Sequence, residues 1–362
     1  MTDTGIVDNL IVGSGLAAIA TGMALHRREA SFQVLDVGYD LDADTEDTIA
    51  HMARLDPPAW DRQARSRLFP PPPSSPSGLE GRLLFGSTFP YRVPDELALK
   101  FNGCKAALTH SIGGFANIWG AAMLPYSERS LRTWPLGTAE LGPSYRNVLD
   151  YVPLSAESDD LREKFPLYTE RATALERSEQ VDGLLQALDH RKTSLTSSGI
   201  SYGRARTAVN SINGNPSACR YCGHCLDGCV YGSIFTPRLH WKDIDADQRR
   251  LHKGVYVLEF KEHDDEVLVT GVSTQDGSLR KWRTKRLFLA AGHFATTRII
   301  ARSLGRINEP IRILDSQYFF FPFLSYQGFP QPPKFTLAEV FLEVLNEELS
   351  KHFVHLQVYG MN

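Results

Sequence analysis

Residues 9–18 read Asn-Leu-Ile-Val-Gly-Ser-Gly-Leu-Ala-Ala, and they give the strongest indication of the fold. Its first four residues are typical of a short buried strand, the glycines of a tight turn, and the small residues after them of a helix packed closely on the strand. Residues 32–36, Phe-Gln-Val-Leu-Asp, predict a second strand that ends in an acid. This order of strand, glycine turn, helix, strand and acid predicts a βαβ unit that binds a dinucleotide.

The residues of this unit have separate predicted tasks. Gly13 allows the backbone angles of the turn, Gly15 lets a pyrophosphate approach the main chain, and Ala18 lets the helix lie near the sheet, with the helix N-terminus facing the phosphates. Asp36 stands where a carboxylate accepts the ribose hydroxyls of an adenosine, and an acid there disfavours a 2′-phosphate. FAD or NAD is therefore predicted rather than NADP, and the alternative is an ordinary α/β turn without a ligand. The predicted contacts are Gly13, Ser14, Gly15, Leu16, Ala17, Ala18 and Asp36.

The composition favours a globular enzyme. The chain has 362 residues, enough for two interleaved domains, and a net charge of −3 with 22% charged residues, which disfavours binding to nucleic acid. It contains no apolar run of about 18 residues that would span a bilayer. No secretion signal precedes the first predicted strand. We therefore expect a cytoplasmic protein with a small-molecule substrate, no nucleic-acid partner and no membrane span.

Hydrophobic alternation with a period of two begins after Gly254. Three segments with this pattern predict an antiparallel meander: residues 255–260, 267–274 and 279–286. The apolar residues 287–291 then predict a separate strand buried on both faces, followed by a glycine turn and a helix over residues 293–300. The small residues Ala291 and Gly292 would let this second turn approach a nucleotide held by the first.

Two other segments have clear patterns. Residues 179–190 place their apolar side chains on one face and predict an amphipathic helix. Residues 354–362 predict a strand at the end of the chain.

A loop between these regions carries a second pair of glycines. Residues 111–120 read Ser-Ile-Gly-Gly-Phe-Ala-Asn-Ile-Trp-Gly. Gly113 and Gly114 permit close backbone approach, Asn117 offers an amide donor and acceptor, and Trp119 offers an aromatic surface. Such a loop suits contact with a flavin.

The fingerprint, the paired-glycine loop and the Ala-Ala-Gly turn at 290–292, in this order, resemble the glucose–methanol–choline (GMC) family of FAD-dependent oxidoreductases over most of residues 8–300. In that family the paired-glycine segment lies against the isoalloxazine and pyrophosphate, and the first meander strand passes the adenine. The resemblance implies oxidation of an alcohol carbon by hydride transfer to FAD. It also implies FAD contacts from Gly113, Gly114, Asn117, Gly120 and Val257.

We therefore interpret the chain as an α/β protein. It has a Rossmann-like FAD-binding domain with an antiparallel meander, and an interleaved substrate or cap domain. The FAD-binding domain is predicted to comprise residues 1–40, 100–125 and 250–305. The cap regions are predicted to comprise residues 41–99, 126–249 and 306–362.

A run of cysteines forms the second unusual feature. Four of the five cysteines, Cys219, Cys222, Cys225 and Cys229, lie within eleven residues, and Cys104 lies apart. Spacings of two, two and three residues bring thiolates around one small volume, as iron–sulfur ligation requires. Structural zinc sites usually join two pairs across a longer loop, and disulfides do not persist in a reducing compartment. We predict an iron–sulfur site, and a structural cysteine cluster is the open alternative.

The cysteine run and the segment after it, from Gly232 to Thr236, also resemble the gluconate- and sugar-dehydrogenase branch of the GMC family. GMC oxidoreductases carry a substrate-facing histidine, with a histidine or asparagine partner, in a C-terminal segment. Since this chain stops at its last predicted strand, we expect the catalytic residues beyond Asn362 and treat His355 as a poor candidate for the base. If the base lies within the chain, His110, His293 and His355 are the first candidates.

The sequence thus predicts an FAD-dependent dehydrogenase acting on the CH–OH group of an alcohol such as a sugar or polyol. Two alternatives stay open. An NAD-dependent dehydrogenase would use soluble NAD and hold no chromophore, and a nucleotide-binding scaffold would bind without turnover.

Overall fold

The structure is a computed structural model. It describes residues 5–71, 83–103, 106–245, 250–314, 318–326, 328–329, 331 and 334–360. Nine strands are described: β1 Ile6–Val12, β2 Gln33–Leu35, β3 Ile200–Arg204, β4 Leu251–His252, β5 Val255–Glu262, β6 Val267–Ser273, β7 Leu279–Leu289, β8 Ala338–Val344 and β9 Val354–Tyr359. The α-helices are α1 Leu16–His26, α2 Ala43–Met52, α3 Arg62–Leu68, α4 Glu128–Leu131, α5 Thr138–Leu149, α6 Glu179–Asp189, α7 Lys192–Ser197, α8 Pro237–Ile244 and α9 Gly292–Ser303.

Six strands form one mixed sheet in the order β4-β2-β1-β7-β6-β5. Strand β1 pairs in parallel with β2 and with β7, whereas β6 pairs antiparallel with both β7 and β5. A parallel half and an antiparallel meander therefore share one continuous sheet. This confirms the predicted α/β architecture.

The core lies on both faces of the parallel half. Ile11 of β1 packs on one face with Ile19 of α1 and Trp241 of α8. Leu10 and Val12 point to the other face, into a cluster that includes residues of β5, β6 and α9. Because β1 is buried on both faces, its C-terminal half is apolar without alternation.

The division of residues 279–291 into two strands is wrong. A single strand, β7, runs from Leu279 to Leu289. Its first half pairs with β6 from Leu279 to Thr284, and its second half pairs with β1 from Arg283 to Leu289. The side-chain pattern changes along the strand because the second half enters the doubly covered part of the sheet.

The second sheet is antiparallel and has the order β3-β8-β9. It packs on a small apolar cluster that contains Leu161, Phe165 and Phe341. The predicted terminal strand is confirmed as β9, and the predicted amphipathic helix is confirmed as α6. The proposed assignment of chain segments to two domains stays a prediction.

Among the residues that the structure describes, no helix has both the length and the apolar character needed to cross a bilayer.

Gly13 provides a test of the first turn. Its φ is +103°, and a Cβ there would lie 2.3 Å from the Ala290 carbonyl oxygen at the end of β7. We expect Gly13→Ala to lower the free energy of unfolding by roughly 3 kcal/mol or more, since it adds a steric overlap to an unfavourable φ. Urea unfolding measures this change.

The matched control is Gly277→Ala. Gly277 also has a positive φ, +68°, but no atom lies within 4 Å of its Cβ position. Gly277→Ala should lower the free energy of unfolding by about 1 kcal/mol, the amount expected for the unfavourable φ alone. Equal losses in the two variants would contradict the close approach of β7 to the first turn.

Candidate functional site

The two glycines of the first turn, Gly13 and Gly15, have different surroundings. Gly13 donates its N–H to the Leu35 carbonyl at 2.8 Å and lies against Ala290, so the protein's own packing requires a glycine there. Gly15 is the N-cap of α1 with an ordinary φ of −75°. The nearest atom to a Cβ on Gly15 would be the Gly113 carbonyl oxygen at 3.9 Å. The space over Gly15 is therefore open.

The paired-glycine loop packs directly on this turn. The Gly113 N–H donates to the Ser14 hydroxyl oxygen at 3.0 Å, and a Cβ on Gly114 would lie 3.5 Å from the Gly15 Cα. Both loop glycines have a positive φ, +87° and +61°. Two glycine turns that lie about 100 residues apart in sequence thus form one surface.

The turn between β7 and α9 lies beside the first turn and the paired-glycine loop. The three turns surround a cavity of about 530 Å³, within the range typical of ligand pockets. Eleven of the predicted contact residues line it: Gly13, Ser14, Gly15, Leu16, Ala17, Asp36, Gly113, Gly114, Val257, Ala291 and Gly292. The structure therefore brings together most of the residues singled out in the sequence.

Three predicted contact residues lie elsewhere. Ala18 is fully buried in the core beneath the turn. Asn117 uses its amide nitrogen within its own loop, donating to the Ile112 carbonyl at 2.7 Å and the Gly114 carbonyl at 3.0 Å. Gly120 faces the second sheet, where a Cβ would lie 3.4 Å from the Tyr359 hydroxyl oxygen. Asn117 and Ala18 thus hold the walls of the cavity in place, and their predicted contact with FAD is untested.

Asp36 directly follows β2 and lines the cavity. Burial raises the pKa of its carboxyl to about 7, although hydrogen bonds from Ser14 and from the Gly38 N–H act in the opposite direction. The Gly38 N–H donates at 2.7 Å. Burial is therefore the largest influence on the pKa of this carboxyl, and its hydrogen bonds within the protein offset it only in part.

The cavity also holds two arginines that the motifs did not reveal, Arg298 and Arg302 of α9. His110 and His293, which the sequence analysis named as candidate bases, line it as well. Burial and the nearby Arg298 lower the pKa of His110 to about 4, so its ring is neutral at pH 7. The two arginines follow the glycine turn at a spacing of four residues, the helical repeat, which is the sequence signal that could have identified them.

His355 does not line the cavity. It lies on β9, where its Nδ1 forms a short hydrogen bond with the buried Glu343 carboxylate. The predicted catalytic residues beyond Asn362 lie outside the described residues.

The cysteine run is tied to the paired-glycine loop. Thr236, seven residues after Cys229, donates its hydroxyl to the Asn117 amide oxygen at 3.0 Å. The Trp119 indole N–H donates to the Phe235 carbonyl at 3.0 Å. The segment after the cysteines therefore supports the loop from behind.

All four cysteines of the run are free thiols that line one small cavity of about 10 Å³, space for roughly one water. Apolar side chains, including Leu175, Phe335 and Leu337, complete its walls. Burial raises the pKa of Cys219 to about 12 and that of Cys225 to about 11. The four thiols thus converge on one small volume, as their spacing predicted.

Within the described part of the chain, no group of three or more histidine, cysteine, aspartate or glutamate side chains is arranged to hold a metal ion. The predicted iron–sulfur cluster therefore receives no support from the structure. The fifth cysteine, Cys104, lies outside the described residues.

The raised pKa of Asp36 predicts a pH dependence of stability for the ligand-free protein. Its folded pKa, about 7, exceeds the unfolded value near 3.9, so the folded state binds the proton more tightly. The contribution is fully present below about pH 4 and is lost as the pH rises through 7. Between pH 5 and pH 8 the titration of this group should lower the free energy of unfolding by roughly 2 to 3 kcal/mol.

Urea unfolding of wild type and Asp36→Asn at the two pH values checks this expectation. In Asp36→Asn, the free energy of unfolding should fall less between pH 5 and pH 8 than in wild type. The control Asp47→Asn, which changes an exposed residue, should show the same fall as wild type. An unchanged pH slope in Asp36→Asn would show that the carboxyl titrates normally.

The packing around the cysteine run predicts slow reaction of its thiols. In protein isolated without oxygen, we expect Cys219, Cys222 and Cys225 to react slowly with a thiol reagent in the native state and rapidly in urea, because burial raises their pKa values. Stoichiometric sulfide and iron would instead establish the cluster, and zinc without sulfide would establish a structural metal site.

No protein-family model and no curated protein matches the chain. Among solved structures, it is similar to pyridoxine 4-oxidase from Mesorbium loti, with 16% sequence identity and a TM-score of 0.43 over 82% of this chain and 52% of that one. It is also similar to a fungal aryl-alcohol oxidase, with 14% identity and a TM-score of 0.43 over 84% and 49% of the two chains. A third is the rebeccamycin biosynthetic enzyme RebC with reduced flavin, at 12% identity and a TM-score of 0.27 over 83% and 34%. The chain thus spans about half the length of the first two.

Proposed function

We propose that the cavity binds FAD and that the protein is a flavin-dependent oxidoreductase that oxidises the CH–OH group of an alcohol. One observation carries the proposal. Three glycine-bearing turns from distant parts of the chain line one cavity, and the Asp36 carboxyl lines the same cavity. A dinucleotide requires this combination of close backbone approach for its phosphates and an acid for its ribose.

Gly15 supports a bound dinucleotide. Its φ is accessible to any residue and the space at its Cβ position is open, so the protein's own packing does not require a glycine. A pyrophosphate over the N-terminus of α1 would fill this space and would meet the helix N–H groups. Arg298 adds positive charge to the same cavity, which suits a diphosphate, whereas Arg302 is paired with Glu259 at 3.5 Å.

The paired-glycine loop favours a flavin over a nicotinamide nucleotide. A Rossmann unit holds NAD with its first turn alone, whereas here Gly113 and Gly114 form a second backbone wall on that turn. This wall gives a flat ring system a surface without side chains to lie against. The loop is held rigidly by the four hydrogen bonds of Asn117, including the one from Thr236.

The flavin, when bound, would supply the hydride acceptor for alcohol oxidation. The residues of this chain bind and orient it: Asp36 toward the ribose, Gly13 to Gly15 toward the phosphates, and the paired glycines toward the ring. His110 is neutral at pH 7, but a pKa of about 4 makes it a weak base. We therefore assign His110 to hydrogen bonding within the cavity rather than to removal of the substrate proton.

Flavin content tests the proposal. The purified protein, reconstituted with FAD, should show flavin absorption after removal of free FAD. Gly15→Val should reduce the retained flavin more than tenfold with the fold intact, since the branched side chain fills the space assigned to the phosphates. Gly5→Val is the control, because Gly5 also has open space around it and lies outside the cavity.

Normal flavin content in folded Gly15→Val would refute the phosphate site. A protein that binds NAD and no flavin would support the dehydrogenase alternative. Reduction of an artificial electron acceptor by a panel of sugars, polyols and simple alcohols tests the reaction itself. Flavin binding without turnover of any alcohol would leave a nucleotide-binding scaffold.

A further inference from the structure

An exposed aromatic segment lies outside the lining of the proposed FAD cavity. Residues 318–326 read Tyr-Phe-Phe-Phe-Pro-Phe-Leu-Ser-Tyr, without a charged side chain. They form neither a helix nor a strand, and their six aromatic side chains and one leucine are each at least 71% exposed. At roughly 150 Å² or more for each aromatic side chain, the exposed apolar area is on the order of 1,000 Å². The largest apolar patch on a typical monomer is about 300–600 Å², so a patch of this size indicates a binding surface.

The folded protein holds the chain on both sides of the aromatic segment. Helix α9, which lines the cavity, ends at Ser303 before it. After it, the Phe329 ring lies 3.6 Å from the Cβ position of Gly183 on α6, and Phe335 is only 2% exposed. The protein therefore packs aromatic side chains next to the segment but leaves those of the segment itself exposed.

The exposed side chains do not form one flat face. The Phe319 and Phe321 ring centroids are 6.3 Å apart, as expected of an extended chain whose alternate side chains share one side. Phe320 then points to the other side, where it is 92% exposed. One side carries about half of the apolar area, on the order of 500 Å², whereas a stable protein interface buries about 800 Å² from each partner. A second copy of the chain would cover too little of the segment, and a fluid medium that surrounds both sides would cover all of it.

The chemistry of the segment and its flank complements a phospholipid surface. Tyr318 and Tyr326 stand at its two ends, and tyrosine concentrates where a bilayer meets water because its ring is apolar and its hydroxyl is polar. Arg306 is paired with Glu309 at 2.6 Å, whereas Arg312 is exposed and has no ion pair among the residues that the structure describes. The free charge of Arg312 complements a headgroup phosphate.

The backbone limits how deep the segment can lie. Backbone N–H and C=O groups outside helices and strands need hydrogen-bonding partners, which water and headgroups provide and the hydrocarbon core does not. An apolar segment of this kind therefore lies at the boundary between headgroups and acyl chains, in the plane of the surface.

We propose that residues 318–326 attach the protein reversibly to the surface of a phospholipid bilayer. The inference goes beyond the proposed function and does not depend on it, because the segment and the FAD cavity use different residues. Its strength is set by the apolar area that leaves water, so it is expected on vesicles without net charge as well.

Vesicle sedimentation tests the inference on the full chain without added cofactor. Increasing amounts of sucrose-loaded vesicles of pure phosphatidylcholine give the partition coefficient of the protein. The triple variant Phe320→Ser, Phe323→Ser, Leu324→Ser should lower this coefficient at least about tenfold, because it removes three of the side chains that would leave water. Urea unfolding should show an intact fold in this variant, since the three side chains are each at least 87% exposed.

A matched pair of leucines supplies the control. Leu324→Ser should lower the partition coefficient about threefold. Leu349→Ser should leave it unchanged, since Leu349 is 75% exposed but lies outside the segment.

Three results would overturn the inference. The first is wild-type protein that does not sediment with the vesicles, and the second is equal partition of the wild type and the folded triple variant. The third comes from sedimentation velocity without lipid: wild-type dimers that the triple variant abolishes, together with an absence of vesicle binding, would assign the segment to a second copy of the chain.

Discussion

Ser14 joins the segments on which the candidate site depends. It is 1% exposed and stands between the two glycines of the first turn. Its hydroxyl accepts the Gly113 N–H at 3.0 Å, its carbonyl accepts the Trp241 indole N–H at 2.7 Å, and it also hydrogen-bonds Asp36. The first turn, the paired-glycine loop, helix α8 and the acid after β2 are thus held at one residue. Because this residue lies at the wall of the cavity, the shape of the cavity follows from these bonds.

The carboxyl groups of Asp36 and Asp40 differ in their charge environment. Burial raises the pKa of Asp40, but the Arg238 guanidinium and the Lys253 ammonium more than offset it, so the net pKa lies below its usual value. The Lys253 charge and hydrogen bonds from Ser14 and Gly38 also lower the pKa of Asp36, four residues earlier, but burial outweighs them and raises it to about 7. The difference between the two carboxyl groups is the Arg238 guanidinium, which contacts Asp40.

The paired-glycine loop and the segment after the cysteine run are in direct contact. Gly113 cannot carry a side chain because a Cβ would lie 2.9 Å from the Arg238 backbone nitrogen at the start of α8. The cysteine run precedes this helix, and the Thr236 to Asn117 hydrogen bond links the two. The segment that follows the cysteines therefore supports the loop.

Local sequence patterns were enough to predict the elements that depend on neighbouring residues: the βαβ unit from β1 to Asp36, the strands β5, β6 and β9, and helix α6. Glycine turns, alternation and helical periodicity report backbone preferences within one segment, so these elements could be predicted directly. The continuity of β7 became visible in the folded protein alone, because its apolar half and its alternating half pack against different neighbours. The same holds for the hydrogen bonds of Asn117 within its own loop, for the place of Phe335 and Leu337 in the walls of the thiol cavity, and for the hydrogen bond between Glu343 and His355. Those contacts join residues whose spacing along the chain has no periodic signature, so their physical cause is packing between segments that the sequence does not place together.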